Sequence, residues 1–340
     1  MRRYILKDKI TLTLLLTAIV FFASCDKQEE EGRTVVTFSA HISSGNTATA
    51  HTNSLQTRTA SGGEQWIVGD AVGIFMLSAG GVLSDDILYN VNNRQYNITD
   101  NITGALAPDD GVQIYYPQSG SVDFIAYYPY GTIETSSGQI VYNISVDGQT
   151  SETLQNSKDI LYAKKTNLSK GDSPVNLEFN HVLSKITLNI KAGTGVVSSA
   201  IANILATDVL FVGMPLTADF VLQDGTLTSP ATGDFSPLAI EATPGYDVTF
   251  SALLIPQGGG ASRKVLFEVG DDTYIWTIPD ATIFEAQKHY TYEITVNNTG
   301  IVDVGMPTIT PWTVNPNSSG TTEMIETISM SGLKRSETDK

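Results

Sequence analysis

The chain has 340 residues, with 20 Lys+Arg against 36 Asp+Glu and a formal net charge of −16. That acidity repels nucleic acid and anionic membrane surfaces, so neither is an expected partner. Its single cysteine, Cys25, leaves no intrachain disulfide and no cysteine-based zinc site, and stability must come from burial. The length suffices for two ordinary domains.

The N-terminus comes first. An apolar run, Ile10–Ala23, follows Arg2, Arg3, Lys7 and Lys9 and gives way to Ala23-Ser24 just before Cys25. Basic residues, an apolar stretch and a small pair make a secretory signal. The cysteine directly after that pair makes it look like a bacterial lipoprotein signal, although Phe22 stands where Leu, Val or Ile is usual. On this reading residues 1–24 are removed and Cys25 carries a covalent lipid; a plain signal peptide or a buried thiol is the alternative. The apolar run is shorter than the roughly 20 residues needed to cross a bilayer, so attachment to the outer membrane is through lipid. Residues 25–33, with Asp26-Lys27-Gln28-Glu29-Glu30-Glu31, read as an acidic tether. They also resemble the acidic signals that send lipoproteins to the outer face of the outer membrane. Without residues 1–24 the chain is more acidic still, about −19.

Beyond the tether there is almost no helical periodicity. Thr34–Ile42 alternates, with Val36, Phe38, Ala40 and Ile42 on one face and Thr37, Ser39 and His41 on the other. That is a half-buried strand. Similar runs predict strands at Ala71–Leu77, Gln113–Tyr116, Val122–Tyr128, Ile140–Ile144 and Ile160–Lys164. A second group lies at Val175–Phe179, Lys185–Lys191, Ala218–Leu222, Val248–Ile255, Lys264–Val269, Thr273–Ile278 and Tyr290–Val296. Turn signals such as Asp147-Gly148, Asp224-Gly225 and Gly258-Gly259-Gly260 separate them. Short strands without intervening helices predict an all-β fold of β-sandwiches. Val196–Ala206 could be a loop with a short helix. Thr166–Pro174 is the least strand-like central stretch and sets the expected boundary: an N-terminal domain over 34–170, a C-terminal one over 171–314, then a tail, 315–340.

No constellation for catalysis or metal binding stands out. Asp85-Asp86, Asp109-Asp110 and Asp271-Asp272 sit beside turn signals, and adjacent strand residues face opposite ways. His41, His51, His181 and His289 are scattered without ligand spacing. No cofactor is expected other than the lipid on Cys25, and no enzyme activity, because nothing supplies a nucleophile and base together. The tyrosines with Trp66, Trp276 and Trp312 leave one alternative open, a monomeric surface lipoprotein that stacks aromatics on carbohydrate.

Several fragments, weak singly, occur in a telling order. They are Thr57-Arg58-Thr59, Trp66-Ile67-Val68-Gly69-Asp70, Val72-Gly73-Ile74-Phe75, Asp123–Tyr130 and Asp159–Ala163. Leu177–Ile186, Leu254-Ile255-Pro256-Gln257 and Phe284–Ile294 follow, ending at Ile309 and Trp312. In this the chain resembles the fimbrillins, the type V pilin superfamily, from Val35 to about Trp312. One departure is Gln287-Lys288 where members often carry a glycine turn.

The resemblance implies two tandem transthyretin-like, Greek-key β-sandwich domains and a non-enzymatic pilus subunit at the cell surface. Its partners would be other pilin subunits in a head-to-tail polymer, and a host or bacterial surface ligand is a further possibility. It also implies export as a lipidated precursor, proteolysis after a basic residue, and replacement of the N-terminal strand by one from the next subunit. Val36, Phe38, Ala40 and Ile42 mark the removable strand. Cutting after Arg58, in the Ser/Thr/Asn/Gly-rich Ser43–Gly63, would release it, whereas Arg33, the alternative site, precedes it. Met324, Ile328 and Met330 in Thr321–Met330 mark a possible donor strand, with a disordered tail as the other reading and Glu326 as the objection.

Overall fold

The structure, a computed structural model, describes residues 33–43, 66–260, 262–300 and 302–312. Nineteen strands are present among them. The first nine are β1 (Phe38–Ile42), β2 (Ala71–Ser78), β3 (Arg94–Asp100), β4 (Ala105–Pro108), β5 (Val122–Tyr128), β6 (Glu134–Ser136), β7 (Gln139–Ser145), β8 (Leu161–Leu168) and β9 (Val175–His181). Then come β10 (Ser184–Ala192), β11 (Val209–Val221), β12 (Thr226–Phe235), β13 (Leu238–Ile240) and β14 (Val248–Leu254). The last are β15 (Lys264–Val269), β16 (Asp272–Thr277), β17 (Lys288–Val296), β18 (Val302–Val304) and β19 (Thr308–Pro311). Two short helices interrupt them, α1 (Glu152–Ser157) and α2 (Ser198–Ala202). The fold is all-β, as the alternating runs predict.

Seven strands close into a barrel in the order β1-β4-β3-β2-β5-β8-β9. Every pairing in it is antiparallel except that of β1 with β9. The other strands form two sheets, β13-β14-β10-β17-β18 with β19 also on β17, and β16-β15-β11-β7-β6 with β12 also on β11.

The burial pattern shows how these layers stack. In β5 all seven residues are buried, because both of its faces are covered. Phe124, Ala126 and Tyr128 point into the barrel with Val36, Phe38 and Leu177. Ile125 and Tyr127 point outward and join a second core, which also holds Phe220, Ile186, Phe250 and Tyr290 from the two sheets. Tyr127 meets Tyr142 of β7 with ring centroids 5.3 Å apart. Strands buried on both faces read as continuous apolar runs rather than alternating ones.

The expected boundary at residues 170 and 171 falls inside this arrangement. Residues 169–174 make the turn joining β8 to β9, which pair as an antiparallel hairpin within the barrel. Their polar character marks a turn: Asp172 accepts from Ser169 N at 2.7 Å. Conversely β7, from the first half of the chain, pairs with β11 in the second and carries β6 on its other edge. The chain passes from barrel to sheets at Val182-Leu183, two buried residues between β9 and β10.

Further differences concern individual strands. Gln113–Tyr116, expected as a strand, makes only the isolated bridge Val35↔Tyr115. Ala218–Leu222 is the end of a 13-residue strand, β11, whose Gly213 and Pro215 interrupt the alternation that would have extended it. The loop with a short helix at 196–206 is present as α2 and the turn after it.

Candidate functional site

β1 closes the barrel. It lies parallel to β9 in the register Phe38↔Val175 through Ile42↔Phe179, and antiparallel to β4 at Ser39↔Ala105. Its hydrogen bonds extend past the strand: Val36 N donates to Ile114 O at 2.8 Å, Tyr116 N to Thr34 O at 2.9 Å, and Ser43 N to Phe179 O at 2.7 Å. The ladder to β9 is continuous, while β4 contributes little beyond Ala40 N donating to Gly104 O at 2.8 Å. Without β1 the facing edges of β4 and β9 would expose unpaired backbone groups and an apolar interior.

Three side chains fill the interior side. Val36 and Ala40 are fully buried, and Phe38 nearly so. Phe38 stands edge-on to Tyr96, centroids 5.4 Å apart, and to Phe124, 5.1 Å apart. Burial pushes the Tyr96 phenol up to about 12, so it stays neutral while its oxygen accepts from Ile114 N at 3.2 Å. Ile42, at the far end, is only half-buried and packs against the same core. On the outer side Thr37 faces Ser173, whose Oγ accepts from Thr37 N at 3.3 Å, and Ser39 Oγ donates to Asn176 Oδ1 in a short hydrogen bond.

Gly104 sets how closely β4 approaches. Its φ is +67°, and a Cβ there would stand 2.0 Å from the Ala40 carbonyl oxygen. Only glycine permits both the backbone conformation and the contact. Burying Val36 and Phe38 is worth about 1.5–3 kcal/mol each.

A second cluster lies at the end of this groove. His181, the last residue of β9, bonds through Nδ1 to Asp159 Oδ1 at 2.8 Å with both side chains buried. Trp312 lies flat against the His181 ring. The last described residue is therefore packed two positions beyond Phe179, the partner of Ile42.

The other candidate residues are dispersed. Arg33 is exposed just before β1. Cys25, His51, Arg58, Met324, Ile328 and Met330 lie outside the described residues. Asp86 accepts from Val82 N, and Asp110 accepts from Val112 N and pairs with Arg94 at 3.3 Å, so both serve turns. His289, half-buried at the start of β17, bonds to Thr187 at 2.8 Å. Trp66, Trp276 and Trp312, on which sugar stacking would depend, are all buried. Gly104 escaped the sequence reading because its importance comes from a neighbour 64 positions away, with no local pattern to announce it.

The described residues form an all-β molecule whose barrel is closed by its first described strand, over an aromatic-lined groove. Residues 57–312 match the model of the fimbrillin-like family, and the chain belongs to that family. It is 27% identical over 303 residues to a Bacteroides uniformis protein described as a candidate fimbrium subunit, Fim1C, spanning 86% of this chain and 92% of the relative. A crystal structure of a candidate cell adhesion protein from Bacteroides uniformis superposes with a TM-score of 0.62 at 26% identity, covering 84% of this chain and all of that one. A candidate cell adhesion protein from Bacteroides ovatus shares the fold, with a TM-score of 0.58 at 21% identity over 83% of this chain and 99% of its own.

Proposed function

We propose that this fimbrillin-like chain is a structural or adhesive subunit of a cell-surface fimbria, assembled by exchange of β1. Family membership and the likeness to a candidate fimbrium subunit support a pilus subunit that assembles with other fimbrillins and is structural rather than enzymatic. The single observation that carries the exchange reading is the position of β1. It is an N-terminal strand, continuous with β9 by hydrogen bonding, thinly joined to β4, and the closing member of the barrel.

The order of segments fits that use. β1 is followed by the stretch containing Arg58, and the family match starts at residue 57, leaving β1 outside it. Cleavage after Arg58 would detach Cys25, its lipid and β1 together. Cleavage after Arg33 would leave β1 in place. The lipid then serves export of the precursor to the outer membrane. The barrel and the paired sheets are read as the two tandem β-sandwich domains of such a subunit. Head-to-tail donation does not close on itself and therefore yields a filament.

Arg58→Ala and Arg33→Ala variants, produced at the surface of the native host, separate the two sites. Sodium dodecyl sulfate-resistant ladders should vanish with Arg58→Ala and persist with Arg33→Ala. Ladders undiminished in Arg58→Ala would overturn this reading. The carbohydrate-binding alternative has no comparable support, since the three tryptophans are buried.

A further inference from the structure

We propose that the loop joining β2 to β3 carries a binding site for neutral carbohydrate, with the Tyr89 ring as its stacking platform. The inference adds a ligand to the subunit and stands whether or not β1 is exchanged. It starts from a conflict between residue and backbone. Val91 N donates to Leu88 O at 2.9 Å, closing a tight turn whose central residues are Tyr89 and Asn90. Both have positive φ, +50° and +57°. Such turns ordinarily take Asn-Gly or Asp-Gly. Asparagine tolerates that conformation, whereas a bulky aromatic residue rarely adopts it.

Burial does not account for the strain. Leu88 and Val91, on either side of the turn, pack into the barrel core. Tyr89 is 60% exposed, the most exposed aromatic residue among those described, while Trp66, Trp276 and Trp312 are buried. The ring therefore holds a costly conformation from which the fold gains no packing. Backbone strain of this kind gathers at ligand contacts, where a side chain is aimed outward at the expense of stability.

The loop holds the ring still. Residues 79–93 form a long connection whose backbone is tied down along its length. Gly80 N donates to the buried Asp123 carboxylate at 2.9 Å, Leu83 N to Gln223 Oε1 at 2.6 Å, and Leu88 N to Met76 O at 2.9 Å. Asn93, a third residue at positive φ, donates to Gly131 O at 3.0 Å and accepts from the Tyr127 hydroxyl at 2.9 Å. A ring fixed in advance loses little freedom when a ligand settles on it.

The surroundings select the ligand. Residues 79–93 include Asp85 and Asp86 and no basic residue, and Arg94 is paired with Asp110 at 3.3 Å. Sialylated, sulfated or phosphorylated ligands would be repelled. Neutral hydrogen-bonding groups are plentiful: Asn90 and Asn92 are exposed. On the outer face of β3, Gln95 Nε2 donates to Asn97 Oδ1 at 3.0 Å, and Asn97 Nδ2 to Asp109 Oδ1 at 2.8 Å. Asn97 stands between Ala71 of β2 and Ala107 of β4, whose methyl groups leave it clear. A neutral sugar suits both parts, its C–H face lying on an aromatic ring and its hydroxyls meeting amides and a carboxylate. A protein partner would call for a wider apolar patch than Tyr89 and the exposed Val82 provide. One shallow site per subunit, repeated along a filament, gains by avidity.

Glycan arrays probed with the full-length protein, extracted from the cell surface in mild detergent, test this. Neutral oligosaccharides of hexoses and N-acetylhexosamines should bind, and sialylated or sulfated ones should not. Titration calorimetry with the strongest neutral oligosaccharide on the array should show at least tenfold weaker binding for Tyr89→Asn and little change for Tyr89→Phe. Because asparagine accepts the positive φ, Tyr89→Asn should also melt at a higher temperature than the parent, a gain that a merely structural tyrosine would not give. Its sodium dodecyl sulfate-resistant ladders should be unchanged, which separates this site from assembly. A lower melting temperature for Tyr89→Asn would make the tyrosine structural and overturn the proposal. Neutral-glycan binding that survives Tyr89→Asn, or none by the parent, would overturn it equally. Binding of deglycosylated surface proteins, lost in Tyr89→Asn, would assign the loop to a protein partner instead, and loss of ladders in that variant would assign it to subunit contacts.

Discussion

Trp312 lies flat on His181, their ring centroids 3.8 Å apart and their planes only 6° from parallel. The contact ties the end of β19 to the end of β9, and Trp312 N donates to Gln287 O at 2.7 Å to complete the lock. It fixes Trp312, the last described residue, against the body of the protein. Replacing this buried tryptophan by alanine removes a large apolar surface and should cost about 3–5 kcal/mol. Denaturant unfolding of Trp312→Ala checks the magnitude, and a shift below 1 kcal/mol would show that the stack does not hold Trp312 in place.

Gly104 makes a sharper prediction because its constraint is steric. Alanine there would force a Cβ against the Ala40 carbonyl at a positive φ. Gly104→Ala should loosen β1 and destabilise the barrel by more than the roughly 1 kcal/mol usual for glycine replacements at positive φ. Faster limited proteolysis of residues 34–43, together with a lower melting temperature, is the expected result.

His289 gives a pH dependence whose sign can be worked out. Burial, reinforced by the Lys185 charge, depresses its pKa from 6.5 to about 3. Between those values the unfolded chain takes up a proton that the folded protein refuses, so stability is full above pH 6.5 and falls as pH drops. The contribution is at most about 1.4 kcal/mol per pH unit. His289→Gln should flatten the stability curve between pH 6.5 and 4.5, above the range where most carboxylates titrate. Equal slopes for variant and parent would place the titrating group elsewhere.

Gln149 anchors α1 to the sheets. Fully buried, it accepts from Leu253 N at 2.7 Å and from Gln155 Nε2 at 3.0 Å, and it donates to Val146 O and Leu253 O. Leucine at this position would strand the Leu253 amide at a cost of about 1–3 kcal/mol. Hydrogen exchange at Leu253 and along 152–157 should quicken in Gln149→Leu.

Much of this fold was readable from alternation alone, because strands with one buried face carry a period of two. β1, β9 and β17 show it cleanly. β3 escaped since only Tyr96 and Ile98 of Arg94–Asp100 are buried. β12 escaped because Pro230 and Gly233 break its pattern, as an outer strand beside β11 can tolerate. The groove was half legible. Val36, Phe38 and Ala40 announce an inward face, but which strands flank them depends on pairings between residues more than a hundred positions apart, such as Ala40 with Leu177. The boundary was misplaced because a polar turn inside a hairpin and a polar linker have the same composition.

The central claim is that β1 leaves during maturation. Mass spectrometry of protein extracted from assembled surface fibres reads it directly. The account predicts a mature N-terminus at Thr59, with Cys25, its lipid and residues 34–42 absent. Fibres whose subunits begin at a lipidated Cys25, or at Thr34, would contradict it.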